Sequence, residues 1–276
     1  MRIAVVTDST SDLPPALVEA YQIYVIPSIL VMDGKSLEDG PGISREAFYR
    51  QLPNLKSPPK TASPAAGAYL QLYEKLQLAG YDYVVAIHVS STLSGIYNTA
   101  RAVAQNFNGF IHLVDSRQLS MGLGFQVLAA AEAAAQGAGL ETVIAAANET
   151  YKRIQVMALL DTLEYARRSG RVSWLQANIG QVLQVKPFMA LQDGTITRQG
   201  EARSRHKGIL RLYKHLDNLG PLEHLAILHS TPDTDAIEMA AAFTSQSSVS
   251  PVIVQVTPVI GTHVGPNGLG FAAVVR

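Results

Sequence analysis

Short apolar runs and stretches of helical period alternate along the first half of the chain. Ile3–Val6 is a continuous apolar run closing on Thr7, Asp8 and Ser9, which predicts a buried strand followed by a polar turn. Pro14 and Pro15 suit the first turn of a short helix running to about Ala20. Tyr24–Met32 reads as a second strand, with Asp33-Gly34 as a hairpin signal after it. Ser44 starts a helix, and residues 53–59 form a proline-rich loop. Ser63 with Pro64 after it predicts a capped helix to about Ala79, stopped by Gly80. Tyr83–Val89 and Ile111–Val114 are further strands. Helices follow them over about 95–107, Gly122–Gln136 and Glu141–Arg153.

The second half has a different texture. Strands are expected at Gln155–Leu160, Val185–Leu191, Thr195–Arg198, Leu225–His229, Val252–Val256 and Phe271–Val275. Helices are expected at Thr162–Arg168, Arg203–Leu219 and Asp233–Phe243, and a glycine-rich turn at Gly261–Gly268. Strand–helix alternation predicts a mostly parallel sheet covered on both faces for residues 1–155. Hairpins mixed with helices predict an α+β domain for residues 156–276. The fold class is therefore α/β in two domains.

Composition narrows the function classes. Lys plus Arg number 22 and Asp plus Glu 22, so the chain has no net field with which to hold nucleic acid or an anionic membrane. Hydrophobic residues make up 47% and charged residues 16%, which excludes a disordered polar chain. Cysteine is absent, removing disulfides, thiolate catalysis and thiolate zinc sites together. No signal-peptide h-region and no membrane-length apolar run is seen, so a cytoplasmic protein without integral membrane contact is expected. The seven histidines form no HxH or HxxxH pair, so no metal is expected.

Three strands of the first half end in hydroxyl-rich turns: Thr7–Ser11, Ser90–Ser94 and Asp115-Ser116. In parallel sheets, ligands sit outside the carboxyl ends of the strands. Ser94 lies between a strand and a helix start, where its hydroxyl and free backbone N–H groups suit an anion. Ser91, Thr92 or Ser94 could equally be a simple cap. Thr61 is placed to supply a second hydroxyl to one small anionic group. A nucleophile elbow would need glycine two residues before Ser94, and Thr92 stands there, so a serine hydrolase or phosphotransferase using Ser94 is the second reading. Asp8–Asp12 reads as turn and capping residues, and His88 as a sheet-end histidine. His263 sits in a glycine-rich turn that lets backbone approach a ligand. Arg167, Arg168 and Arg171 form one basic cluster, and Arg203, Arg205, His206 and Lys207 another. There is no Walker A sequence and no dinucleotide fingerprint.

Several motifs fall in one order along nearly the whole chain. T-D-S-T-S-D-L at 7–13, K-T-A-S-P at 60–64, S-S-T-L-S-G-I-Y at 90–97, V-D-S at 114–116 and M-G-L-G at 121–124 come first. L-E-Y-A-R-R-S-G-R-V at 163–172, K-P at 186–187 and G-T-H-V-G-P at 261–266 follow. This series resembles the DegV family. The resemblance implies an N-terminal α/β/α domain and a C-terminal α+β domain with one long-chain fatty acid, such as palmitate, bound between them. It implies a lipid-binding protein rather than an enzyme, with no cofactor beyond the bound acid. It also implies a separate fatty-acid kinase as partner, whose acyl phosphate product feeds phospholipid metabolism. Thr61 and Ser94, followed by Gly95, match the family's carboxylate contacts, and Arg171 and His263 fall at its headgroup positions. Ser63, Ser91 and Ser116 are further candidates on the headgroup side. The chain departs from the family pattern at Ala62 and Ser63, at Ile96, at Ser169 where the family has glycine, and at Asn267.

Overall fold

The computed structural model describes residues 1–171, 185–231, 234–246 and 249–276. From the N-terminus run β1 (Ile3–Asp8), α1 (Pro15–Ala20), β2 (Tyr24–Ile26), β3 (Ile29–Met32), β4 (Lys35–Glu38), α2 (Arg45–Gln51) and β5 (Lys60–Ala62). Next come α3 (Ala66–Leu78), β6 (Tyr83–His88), α4 (Ile96–Ala104), β7 (Ile111–Asp115), α5 (Met121–Ala135) and α6 (Leu140–Tyr151). The remainder is β8 (Ile154–Leu159), α7 (Glu164–Arg168), β9 (Lys186–Gln192), β10 (Thr195–Ala202) and α8 (Arg205–Asp217). It closes with β11 (Leu222–His229), α9 (Thr234–Gln246), β12 (Val252–Gln255), α10 (Pro258–Val264) and β13 (Leu269–Val275).

The chain forms two compact units, one of Met1–Ile29 with Ala62–Lys152, the other of Leu30–Thr61 with Arg153–Arg276. A division at residue 155 would leave residues 30–61 with the N-terminal part; they pack instead with the C-terminal one. Proline explains the switch. Pro27 has no N–H to give a ladder, and the Ser28 N–H is spent on Ser9 Oγ at 3.0 Å. The expected single strand Tyr24–Met32 is thus two, β2 pairing with β1 and β3 joining β4 and β5.

In the first unit the order β2-β1-β6-β7 is parallel throughout. Every position of β1 is buried, so both sheet faces are covered. The carboxyl ends of β1, β6 and β7 carry the hydroxyl-rich turns. Helix α3 starts at Ala66 with no side-chain cap, not at Ser63. Pro64 and the extended Ala65 delay it, because a residue before proline is kept out of the helical region.

The second unit holds the six-stranded order β10-β9-β8-β13-β11-β12, antiparallel except for β11 with β12. Leu159, Phe188, Leu212, Leu216, Ile227 and Phe271 lie in its main core beneath α8 and α9. Leu160, Ala166 and Met189 form a smaller cluster, packed by Val264, that seats α7 and α10. Residues Gly261–Val264 are helical rather than a glycine-rich turn. Pro258 opens α10, and Thr262 Oγ1 returns to the Pro258 carbonyl at 2.9 Å. Gly261 is required by packing: a Cβ there would lie 2.4 Å from the Tyr49 hydroxyl and 2.8 Å from Phe48 Cε1. Gly265 ends the helix at φ +74°, where a Cβ would also meet the Tyr165 ring.

Candidate functional site

The turn after β6 is built from inside the first unit. Asp8 is fully buried at the end of β1. Its Oδ1 accepts from the Thr10 N–H at 3.1 Å and from the Thr10 hydroxyl, capping the short turn Ser9–Ser11. Its Oδ2 accepts from His88 Nδ1 and from the Val89 N–H, each at 3.1 Å. One carboxylate therefore ties the start of the Ser90–Ser94 turn to β1. Burial, then the charge of Asp8, pushes the pKa of the neighbouring Tyr69 up, so its hydroxyl stays protonated. Asp12 accepts from Ser120 Oγ at 2.6 Å, so both acidic residues of the first motif act within the turn.

Ser94 keeps its hydroxyl near the helix start without being the cap residue. Gly95 occupies that position and has no side chain to cap with. Ser94 Oγ accepts from the Ile96 N–H at 3.3 Å. The other hydroxyls of this unit are occupied differently. Ser91 donates to Asp115 Oδ2 while its N–H reaches Asp115 Oδ1 at 3.2 Å, joining the ends of β6 and β7. Ser116 is buried and donates to the Gln118 carbonyl at 3.2 Å, accepting from the Gln118 N–H at 3.0 Å. Ser63 lies beside Gly95, whose Cβ would sit 3.2 Å from Ser63 Oγ.

Thr61, His263 and Arg171 belong to the second unit, and the structure brings Thr61 and His263 together. Thr61 Oγ1 lies 3.3 Å from His263 Nε2. On the other side of the ring, Nδ1 lies 2.8 Å from Ser169 Oγ. Ser169 Oγ in turn reaches the Tyr165 carbonyl at 2.7 Å and the Ala166 carbonyl at 3.2 Å. Burial, helped by the positive charge of Arg171, pushes His263 down to about 4, so it is neutral at pH 7. Arg171 is anchored by its N–H on the Ala166 carbonyl at 2.9 Å, just past α7. Val172, which ends that motif, lies outside the described residues.

Sequence reading noted Ser169 as a departure from the family pattern but not as a site residue, and it weighed Asp8 and His88 only as turn and sheet-end residues. The signal that could have marked Ser169 is a hydroxyl two residues before the candidate Arg171. The Asp8–His88 pair spans eighty positions and leaves no local signal. Among the described residues no group of three or more His, Asp or Glu could hold a metal ion, and no helix is long and apolar enough to cross a membrane. Neither His88 nor His112, the histidines of its unit, bonds Ser94. His88 Nδ1 is held by Asp8, and the Nε2 atoms of both rings have no hydrogen-bond partner.

Known proteins share both sequence and fold with this chain. A DegV domain-containing protein of Caldanaerobacter subterraneus subsp. tengcongensis is 36% identical over 276 residues, covering 98% of this chain and 97% of the relative. One from Listeria innocua is 31% identical over 275 residues, covering 98% and 97%. Among solved structures, "DegV, a fatty acid binding protein from Bacillus subtilis" superposes with a TM-score of 0.91 at 31% identity, covering both chains completely. "Fatty Acid Binding of a DegV family Protein from Thermus thermophilus" gives 0.92 at 28% identity, again over both whole chains. The family profile described as "Uncharacterised protein, DegV family" matches residues 2–276. With motifs, fold and whole-length relatives in agreement, this chain belongs to the DegV family.

Proposed function

We propose that this protein binds a single long-chain fatty acid, with the carboxyl group held by Thr61 and Ser94 and approached by Gly95, Arg171 and His263. The observation that carries this reading is the whole-length likeness to the Bacillus subtilis protein, which is described as binding fatty acid. The chemistry of the residues supports it. Thr61 is paired with a neutral imidazole, and Ser94 has a hydroxyl proton to offer beside a helix start. A sixteen-carbon tail contributes on the order of 12 kcal/mol gross when buried, before the costs of association, so the tail supplies affinity and the headgroup supplies orientation. Ser91 and Ser116 hold Asp115 and the Gln118 turn, and on this reading they shape the site without touching the ligand.

In the same reading the protein does no chemistry itself. It presents the acid to a separate fatty-acid kinase, which forms the acyl phosphate. Native mass spectrometry followed by denaturing extraction tests the binding. The expected result is an adduct of a few hundred daltons that extracts as free fatty acid and is weakened by Thr61→Ala and Ser94→Ala. A ligand-free mass that also takes up no added palmitate or oleate overturns it. ATP consumption by the purified protein alone would overturn the non-catalytic role. Covalent capture of Ser94 by a serine probe would restore the hydrolase alternative.

A further inference from the structure

The hydrogen bonds around His263 run in one direction. A serine has a single hydroxyl proton, and Ser169 Oγ faces two backbone carbonyl oxygens at 2.7 and 3.2 Å. Turning that proton toward the imidazole would set oxygen lone pairs against each other at these distances. Ser169 therefore donates to the backbone and accepts from His263 Nδ1–H. With Nδ1 protonated, Nε2 of the neutral ring is an acceptor, and it takes the Thr61 hydroxyl proton. The order is Thr61 to His263 to Ser169 to the α7 backbone, every proton pointing away from Thr61. An ionised carboxylate arriving at Thr61 and His263 brings acceptors to a pair whose donors are already committed.

We propose that Ser169 fixes His263 as its Nδ1–H tautomer, and that each acid ligand bound at Thr61 and His263 is accompanied by one proton taken from solvent. The balance is a carboxylate plus one proton giving the carboxylic acid in the site, its O–H donating to His263 Nε2 or to Thr61 Oγ1. This rests on the assignment of Thr61 and His263 as ligand-facing residues made above.

The titratable and charged groups on α7 and α2, the helices packed against α10, leave the assignment intact. From α7 come Tyr165 and Arg168, while Glu164 is bound by Arg167 at 2.9 Å. From α2, Tyr49 donates to the Val256 carbonyl at 3.1 Å and Arg45 to the Gln255 carbonyl. Lys60 adjoins Thr61 on β5. Among the described residues, the charge that bears on the ring is Arg171, which disfavours imidazolium and so keeps the ring a neutral acceptor. The low pKa of His263 agrees with this direction.

The test uses the whole protein, stripped of lipid, with [1-13C]dodecanoic acid below its aggregation concentration. Calorimetry in buffers of different ionisation enthalpy counts protons, and nitrogen-15 spectra of the histidines report the tautomer without any ligand. The expected results are about one proton taken up per acid bound at pH 7.5, and affinity falling about tenfold per pH unit from 6.5 to 8.5. The ring should show the Nδ1–H form. Ser169→Ala, and independently Ser169→Gly, should release the ring to Nε2–H, cut proton uptake below half and tighten binding at pH 8.5. Binding without proton uptake and without pH dependence overturns the proposal while leaving fatty-acid binding standing. A ring in the Nε2–H form, or variants that keep wild-type proton uptake and tautomer, overturns the role of Ser169. Failure to bind any acid at any pH overturns the binding reading first and the proton coupling with it.

Discussion

Two histidines, one in each unit, hold their protons on the same nitrogen for different ends. His88 gives Nδ1–H to the buried carboxylate of Asp8, and its Nε2 is buried with no hydrogen-bond partner. His263 gives Nδ1–H to the hydroxyl of Ser169, and its Nε2 meets Thr61. A carboxylate behind an imidazole adds charge, and here that charge is also shared with Thr10 and Val89, so the pair cements β1 to the turn after β6. A serine behind an imidazole fixes the ring's direction without supplying charge to stabilise imidazolium. The first arrangement suits a structural joint and the second a site whose acceptor must stay neutral.

The comparison breaks first if Asp8 proves dispensable. Asp8→Ala should cost about 3–5 kcal/mol, because it strands His88, Val89 and Thr10 where all three are buried. Urea unfolding of the first unit measures this, and a loss under about 1 kcal/mol would show that the carboxylate is no joint. Next in size is the seat of His263. Gly265→Ala should cost about 3 kcal/mol, since it combines a left-handed backbone with a clash against Tyr165. A near-neutral result would mean that α10 can shift freely and that the Thr61–His263 distance is not enforced.

The pH dependence of stability sharpens the contrast. His263 titrates near 6.5 when unfolded and at about 4 when folded, so between those values the unfolded chain binds more protons. Its contribution is whole above pH 6.5 and is lost as pH falls toward 4, at most about 1.4 kcal/mol per pH unit. Subtracting the profile of His263→Gln from the wild type should leave this slope; a flat difference would mean the ring is not neutral because of its surroundings. The smallest effect is expected for Ser169→Gly, a loss under about 1 kcal/mol, because only one hydrogen-bonded hydroxyl at the end of α7 is removed. A large loss by thermal unfolding would make Ser169 a joint like Asp8.

Much of the first unit was legible because its strands are short apolar runs closed by hydroxyl turns, as at Ile3–Val6 and Tyr83–Val89. The same reading merged β2 with β3, since apolar content continues through Tyr24–Met32 while the break depends on one missing N–H at Pro27. It took α10 for a turn because Gly261 and Gly265 look like loop residues; Gly261 is there for the close approach of α2, which no local window contains. Thr61 and His263 were each singled out, but their pairing joins positions 202 apart and rests on tertiary packing. Ser169 was not taken as a site residue for the same reason. Its role is set by the carbonyls of the turn behind it and by a ring on another helix.

The path of the chain has a consequence for biosynthesis. Residues 30–61 leave the ribosome early, yet they belong with a sheet that begins at Arg153. Its central strand, β13 between β8 and β11, is the last to be made. At about 5–20 residues per second, β3, β4 and β5 wait roughly ten to forty seconds for their partners. Meanwhile the first unit can fold around them as a tethered loop. Losing β13 would remove the strand that joins β8 to β11, so that sheet is completed only once Leu269–Val275 have emerged.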